Sequence, residues 1–150
     1  MRGLKKLVIG SGITEIPDKA FHKAVNLKEV ILEEVDTIGS QAFACSGLTK
    51  VYIPECTSRI AHDAFEECYS LTEFEVATKN PYFIGTSSGL YGNPRQNIYQ
   101  ETTLICYPYG NSDTKVKVGD GWEGTIYIGE KAFYKNNTIE RVILLDNALI

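Results

Sequence analysis

Side chains able to do covalent chemistry are sparse in this 150-residue chain. Its two histidines are His22 and His62, and its four cysteines are Cys45, Cys56, Cys68 and Cys106. Cys56 with His62 as base would be a nucleophilic pair, but no third group orients the imidazole and nothing in the spacing forces the two together. His22 follows Phe21 directly and is expected to point away from the core. The cysteines lie 11, 12 and 38 residues apart, form no C-x-x-C pair and match no zinc spacing. They read first as small buried hydrophobes, with a disulfide as the alternative. No Gly-rich phosphate loop, H-E-x-x-H or EF-hand loop occurs. Glu33-Glu34 and Glu66-Glu67 read as solvated turns, and Asn136-Asn137-Thr138 matches a glycosylation acceptor. The expectation is no enzyme, no metal and no cofactor.

Recognition chemistry is better represented. "LKKLVI" (4–9), "LKEVIL" (27–32), "LTKVYI" (48–53), "LTEFEV" (71–76) and "IERVIL" (139–144) share an apolar-x-x-apolar-x-apolar pattern. Aligning them on Leu7, Val30, Val51, Phe74 and Val142 exposes two columns. Lys6, Glu29, Lys50, Glu73 and Arg141 alternate in sign, which suits a register-setting ladder of ion pairs or a charged stripe that orients a protein partner. Val8, Ile31, Tyr52, Glu75 and Ile143 put three apolar groups side by side on an exposed face. Such a strip marks an interface, with tyrosine a favoured anchor, or is buried by a flanking segment. The tyrosines Tyr82, Tyr91, Tyr99, Tyr107 and Tyr109 either close the core locally or line an aromatic ligand surface. Trp122 reads as a turn residue over the last units.

The elements that position these columns follow from a repeat. "IPDKAF", "IGSQAF" and "IAHDAF" begin at Ile16, Ile38 and Ile60, 22 residues apart, and "IGEKAF" begins at Ile128, 68 further on. A unit this short cannot bury its own apolar side, so units must stack. The segments rich in Val, Ile, Tyr and Phe predict parallel strands about 4.8 Å apart. The hexamer predicts a short helix or 3-10 turn, with Asp18, Ser40 and Asp63 as caps. Gly39 and Gly129 are placed where backbone freedom is useful. Three parts result: regular repeats over 4–77, degenerate repeats over 78–123 and a regular repeat over 124–150. In the middle part strands are expected near "SGLY" and "TTLICY", joined by a turn around Gly92-Asn93-Pro94. That stretch is either a continuation of the stack or an inserted hairpin. A chain opening and closing mid-repeat predicts a fragment of a longer array, with end-to-end self-association as one way to cover its ends.

"IGSQAFACSGLTKVYIP" (38–54) resembles the unit of the BspA-like leucine-rich-repeat family: Ile-Gly, Ala-Phe, Cys, then Leu-x-x-Val-x-Ile-Pro. "NPYF…SGLYG…TTLICYPYG" resembles a variant unit of that family. Departures are that proline follows the strand only at Pro54 and Pro108, and that the Cys kept at Cys45 and Cys68 gives way to Ala24 or Val25 and to Asn136. The resemblance implies an α/β solenoid: a right-handed leucine-rich-repeat superhelix with a concave parallel β-sheet and helical or 3-10 turns on the convex side. It also implies non-catalytic recognition, often adhesion to host extracellular-matrix proteins, by proteins that carry a secretion signal and an anchor.

Composition narrows the classes further. An apolar fraction of 43% and a charged fraction of 23% suit a single domain with a real core. A net charge of −4 with no basic run argues against a general nucleic-acid binder. No apolar stretch reaches the roughly 20 residues of a membrane span. "MRGLKKLVIGSG" is no signal peptide, so the chain as given would stay in the cytoplasm, whereas the resemblance places the full-length protein outside the cell or on its surface. The leading expectation is a protein- or glycan-binding module using Lys6, Val8, Glu29, Ile31, Lys50, Tyr52, Glu73, Glu75, Arg141 and Ile143. A structural spacer is second, and a polysaccharide-acting β-helix enzyme third.

Overall fold

The computed structural model describes residues 3–92, 102–119, 124–146 and 148–150. The chain winds as a β-solenoid of about six turns with parallel sheets. Four-residue strands line one side: β1 (Lys6–Ile9), β3 (Glu29–Leu32), β5 (Lys50–Ile53) and β7 (Glu73–Val76), joined as the parallel pairs β1–β3 and β5–β7. The Thr49 amide donates to the Lys28 carbonyl at 3.3 Å and links the two pairs. Two-residue strands line a second side, where β2 (Glu15–Ile16), β4 (Thr37–Ile38) and β6 (Arg59–Ile60) form a parallel sheet. In β3 and β5 exposed and buried residues alternate strictly, so Val30, Leu32, Val51 and Ile53 enter the core.

The third side corrects an expectation. The Ala-Phe segments are turns, and the described residues contain no helix. Their amides alternate in direction. Ala20, His22 and Ala24 donate within the turn, to the Pro17, Lys19 and Phe21 carbonyls at 3.1 to 3.2 Å. Lys19, Phe21 and Lys23 donate instead to the Ser40, Ala42 and Ala44 carbonyls of the next rung at 2.8 to 2.9 Å. With every second N–H spent on the neighbouring rung, no helical i→i−4 ladder closes. Left-handed φ at Lys19 (59°), Lys23 (59°), Gln41 (53°) and Cys45 (56°) unwinds each turn further.

The expected caps also act between rungs. Asp18 Oδ1 accepts the Ser40 amide at 2.7 Å, and Asp63 accepts the Ser40 hydroxyl at 3.0 Å and the Gln41 amide at 3.3 Å. Gly39 is there for space and not for a left-handed φ. A Cβ on it would stand 2.5 Å from Asp18 Oδ1 and 2.9 Å from the Ile16 carbonyl, to which the Gly39 amide donates at 2.9 Å. Inside the turns the Phe21, Phe43 and Phe65 rings stack nearly parallel, with centroids 5.3 and 5.7 Å apart. Burying each such ring contributes roughly 1.5–3 kcal/mol.

The irregular stretch holds both arrangements that the sequence leaves open. β8 (Phe83–Thr86) and β9 (Gly89–Gly92) form an antiparallel hairpin, and β9 pairs antiparallel with β10 (Thr102–Cys106). β10 then resumes the parallel stack through β12 (Ile126–Ile128) to β14 (Ala148–Leu149). The expected strands "SGLY" and "TTLICY" are β9 and β10. Asn93, Pro94, Tyr99 and Trp122 lie outside the described residues. Leu104 pairs with Ile128, and Tyr107 takes the Phe position, its ring 5.5 Å from Phe133. Leu104 and Tyr107 stand three positions apart, against five for Ile60 and Phe65, so this rung's turn is shorter by two residues. Lys135 and Lys131 reach past it, to Glu67 at 2.6 Å and to Asp63 and Glu66 at 3.8 Å each.

The hairpin also interrupts the long-strand side. β8 lies so close to β7 that a Cβ on Gly85 would overlap the Phe74 carbonyl. Beyond it, β11 (Lys115–Val118) and β13 (Arg141–Leu144) form a separate parallel pair.

Candidate functional site

The long-strand face carries the two columns that the sequence singles out. Alternation along β1, β3 and β5 turns Val8, Ile31 and Tyr52 outward, and they are 55%, 37% and 44% exposed. Val8 is in register with Ile31, and Tyr52 with Glu75. Three apolar groups therefore stand on consecutive rungs about 4.8 Å apart and end against a carboxylate.

The charged column flanks this strip as ion pairs. Lys6 meets Glu29 at 3.0 Å, and Lys50 bridges Glu73 at 3.2 Å and Glu75 at 2.9 Å. The hydrogen bonds to Glu75 and then Glu73 raise the Lys50 pKa, so its charge is fixed across the physiological range. All of these side chains are about half exposed, so solvent screens the pairs and they add little to stability. Their larger effect is to hold the rim of the strip in one arrangement before a partner arrives.

Lys6, Val8, Glu29, Ile31, Lys50, Tyr52, Glu73 and Glu75 thus form one surface. Arg141 and Ile143 do not join it. They stand on β13 beside β11, so the cross-strand neighbour of Arg141 is Lys115 and not Glu73. Sequence reading missed β11 because Asp113 occupies its leading Leu position; the Asp113 carboxylate accepts the Tyr107 hydroxyl at 3.2 Å. The alternating "KVKV", with Val116 and Val118 buried, was the available signal.

The chemistry-bearing residues are dispersed. Cys56 donates to the Val35 carbonyl at 3.6 Å, and His62 is exposed on the turn side. All four cysteines are free thiols. Burial pushes the Cys68 pKa up to about 11, and Sγ donates to the Phe43 carbonyl at 3.1 Å. Burial also raises Cys106, and desolvation raises Cys45 and Cys56, so thiolates are disfavoured at all four positions. His22 is half-buried, and its Nδ1 is enclosed rather than turned to solvent. Tyr91, Tyr107 and Tyr109 are buried in the core and Tyr82 is exposed. No group of three or more metal-ligating side chains is assembled among the described residues.

A family model for BspA-type leucine-rich repeat regions matches residues 1–88 in six copies. Solved structures match over almost the whole chain. A leucine-rich cell surface protein from Faecalibacterium prausnitzii A2-165 superposes with a TM-score of 0.76 at 22% identity, over 97% of this chain and 42% of that one. The pneumococcal vaccine antigen PcpA gives 0.74 at 18% identity, over 97% and 40%. A leucine-rich repeat protein from Eubacterium ventriosum ATCC 27560 gives 0.72 at 16% identity, over 98% and 43%. The chain spans about two-fifths of the length of these proteins, and at such identities they show the fold alone. No curated protein matches significantly. No helix among the described residues is long and apolar enough to cross a membrane.

Proposed function

Because the chain belongs to the BspA-type leucine-rich repeat family, we propose that it is a non-catalytic recognition module whose long-strand face binds a protein, as part of a cell-surface or secreted protein. The observation that carries this is the exposed strip Val8–Ile31–Tyr52 with a rim of ion pairs along one side. Apolar groups on three consecutive rungs cost solubility and add nothing to the core. A tyrosine at the edge of such a strip is a good anchor, because it offers a large rigid area with one polar tip. The rim supplies charges of both signs, which orient a partner more than they add affinity. Glycan remains a second ligand class, and extracellular-matrix proteins are the first partners to try. The superposition on a bacterial cell surface protein and on a pneumococcal antigen supports the location.

Screening the purified chain against matrix proteins and glycans, beside Ile31→Ser/Tyr52→Ala, tests this. Saturable binding to a protein that the double variant loses, with unchanged circular dichroism, is expected. Binding that is equal in both forms would move the site elsewhere, and no binding at all would favour a spacer role.

A further inference from the structure

On β1–β3 and β5–β7 every cross-strand charged pair on the exposed face is complementary: Lys6 with Glu29, Lys50 with Glu73. The β11–β13 pair breaks this rule. Lys115 is in register with Arg141, and Lys117 stands two residues further along β11; all three are exposed. Like charges directly opposite one another on neighbouring strands are unfavourable. None of the three forms a salt bridge among the described residues. The nearby Asp113 carboxylate is engaged by the Tyr107 hydroxyl. In a chain of net charge −4, a local cluster of three cations with no salt bridge among the described residues is not a by-product of composition.

We propose that the β11–β13 face binds an extended acidic segment of a protein partner. Alternate residues of an extended peptide are about 6.6–7 Å apart, which is also the spacing of Lys115 and Lys117 along β11. Two carboxylates at i and i+2 can therefore meet both lysines at once. The Arg141 guanidinium, one strand over, takes a carboxylate in its planar fork. Ile143, half-buried and in register with Lys117, offers an apolar contact on the same face as the cations. That match of linear spacing favours a peptide over a sulfated glycan. The inference deepens the proposed function by naming the charge of the partner, and it rests on that reading.

The probe is a fluorescein-labelled (Glu-Ala)5 peptide, followed by anisotropy at low and at physiological ionic strength. It carries no large apolar anchor, so its result is read independently of the Ile31/Tyr52 screen. Saturable binding is expected, weakening with salt and weakening about tenfold or more in Lys115→Gln/Arg141→Gln. Lys117→Gln alone should give a smaller loss. Lys19→Gln/Lys23→Gln, an equal charge change on the turn side, should leave binding unchanged. The exposed glutamines relieve a repulsion, so thermal melts of the variants should match or exceed wild type. No saturable binding by wild type, equal weakening in both double variants, or binding of a sulfated oligosaccharide in preference to the peptide would each overturn the proposal.

Discussion

The Phe43 amide donates to the Ala64 carbonyl at 2.9 Å, a bond between neighbouring rungs and not within a turn. Together with Phe21 to Ala42 and Tyr107 to Ala132, it makes the turn side of the solenoid a third hydrogen-bonded wall. The phenylalanine rings hang inward from this wall. The long-strand face is thereby held on a scaffold tied on all three sides.

Phe43 is fully buried, with its ring between those of Phe21 and Phe65. Phe43→Ala removes both ring contacts and leaves a cavity that the tied rungs cannot collapse. A loss of about 3–5 kcal/mol is expected, read by urea denaturation. A loss well under 1 kcal/mol would mean that the stack carries little.

Gly39→Ala tests the close approach of rungs. The added Cβ meets the Ile16 carbonyl and the Asp18 side chain, so the β2–β4 pairing must shift. Destabilisation of about 1–3 kcal/mol is expected from overpacking, read as a lowered melting temperature. A neutral or stabilising effect would show that the rungs are not in this contact.

How much of this could be read in the residues alone depends on distance along the chain. The rungs 4–77 were legible because the apolar positions repeat at 21 to 23 residues and strand alternation is local. The turn conformation was not, because the partner of the Phe43 amide lies 21 residues away and a short Ala-Phe segment looks the same for a helix or a turn. β11 was hidden because Asp113 replaces the Leu that marks the other long strands. The sign-alternating column held through Glu73 and failed at Arg141 for the same reason.

Acid sensitivity should pass through Glu67. The hydrogen bond from Lys135 holds its carboxyl below the ordinary value of 4.5. The folded pKa is lowered, so this contact stabilises fully above the unfolded value and is lost as pH falls through the folded one. Lys135 is shifted up by the same contact, so its share is fully present below its ordinary value and is lost as pH rises through the raised one. Urea midpoints across an acid series should fall for wild type, and fall less steeply for Glu67→Gln. Identical slopes would contradict the pairing.

Thiol reactivity should follow burial. At mildly alkaline pH the exposed Cys56 should react first with an aromatic disulfide reagent, followed by the half-buried Cys45. Cys68 and Cys106 should react only on unfolding. Four equally fast thiols in the native protein would contradict the packing.

The central claim is that recognition belongs to the long-strand face. The most direct measurement compares two double variants against the partner found in the matrix-protein screen: Ile31→Ser/Tyr52→Ala on that face, and Ser58→Ala/Arg59→Ala on the short-strand side. The account predicts about a thirtyfold or greater loss of affinity for the first, as expected of an anchor worth ~2 kcal/mol, and no change for the second. The reverse pattern, or no loss in either, would contradict it.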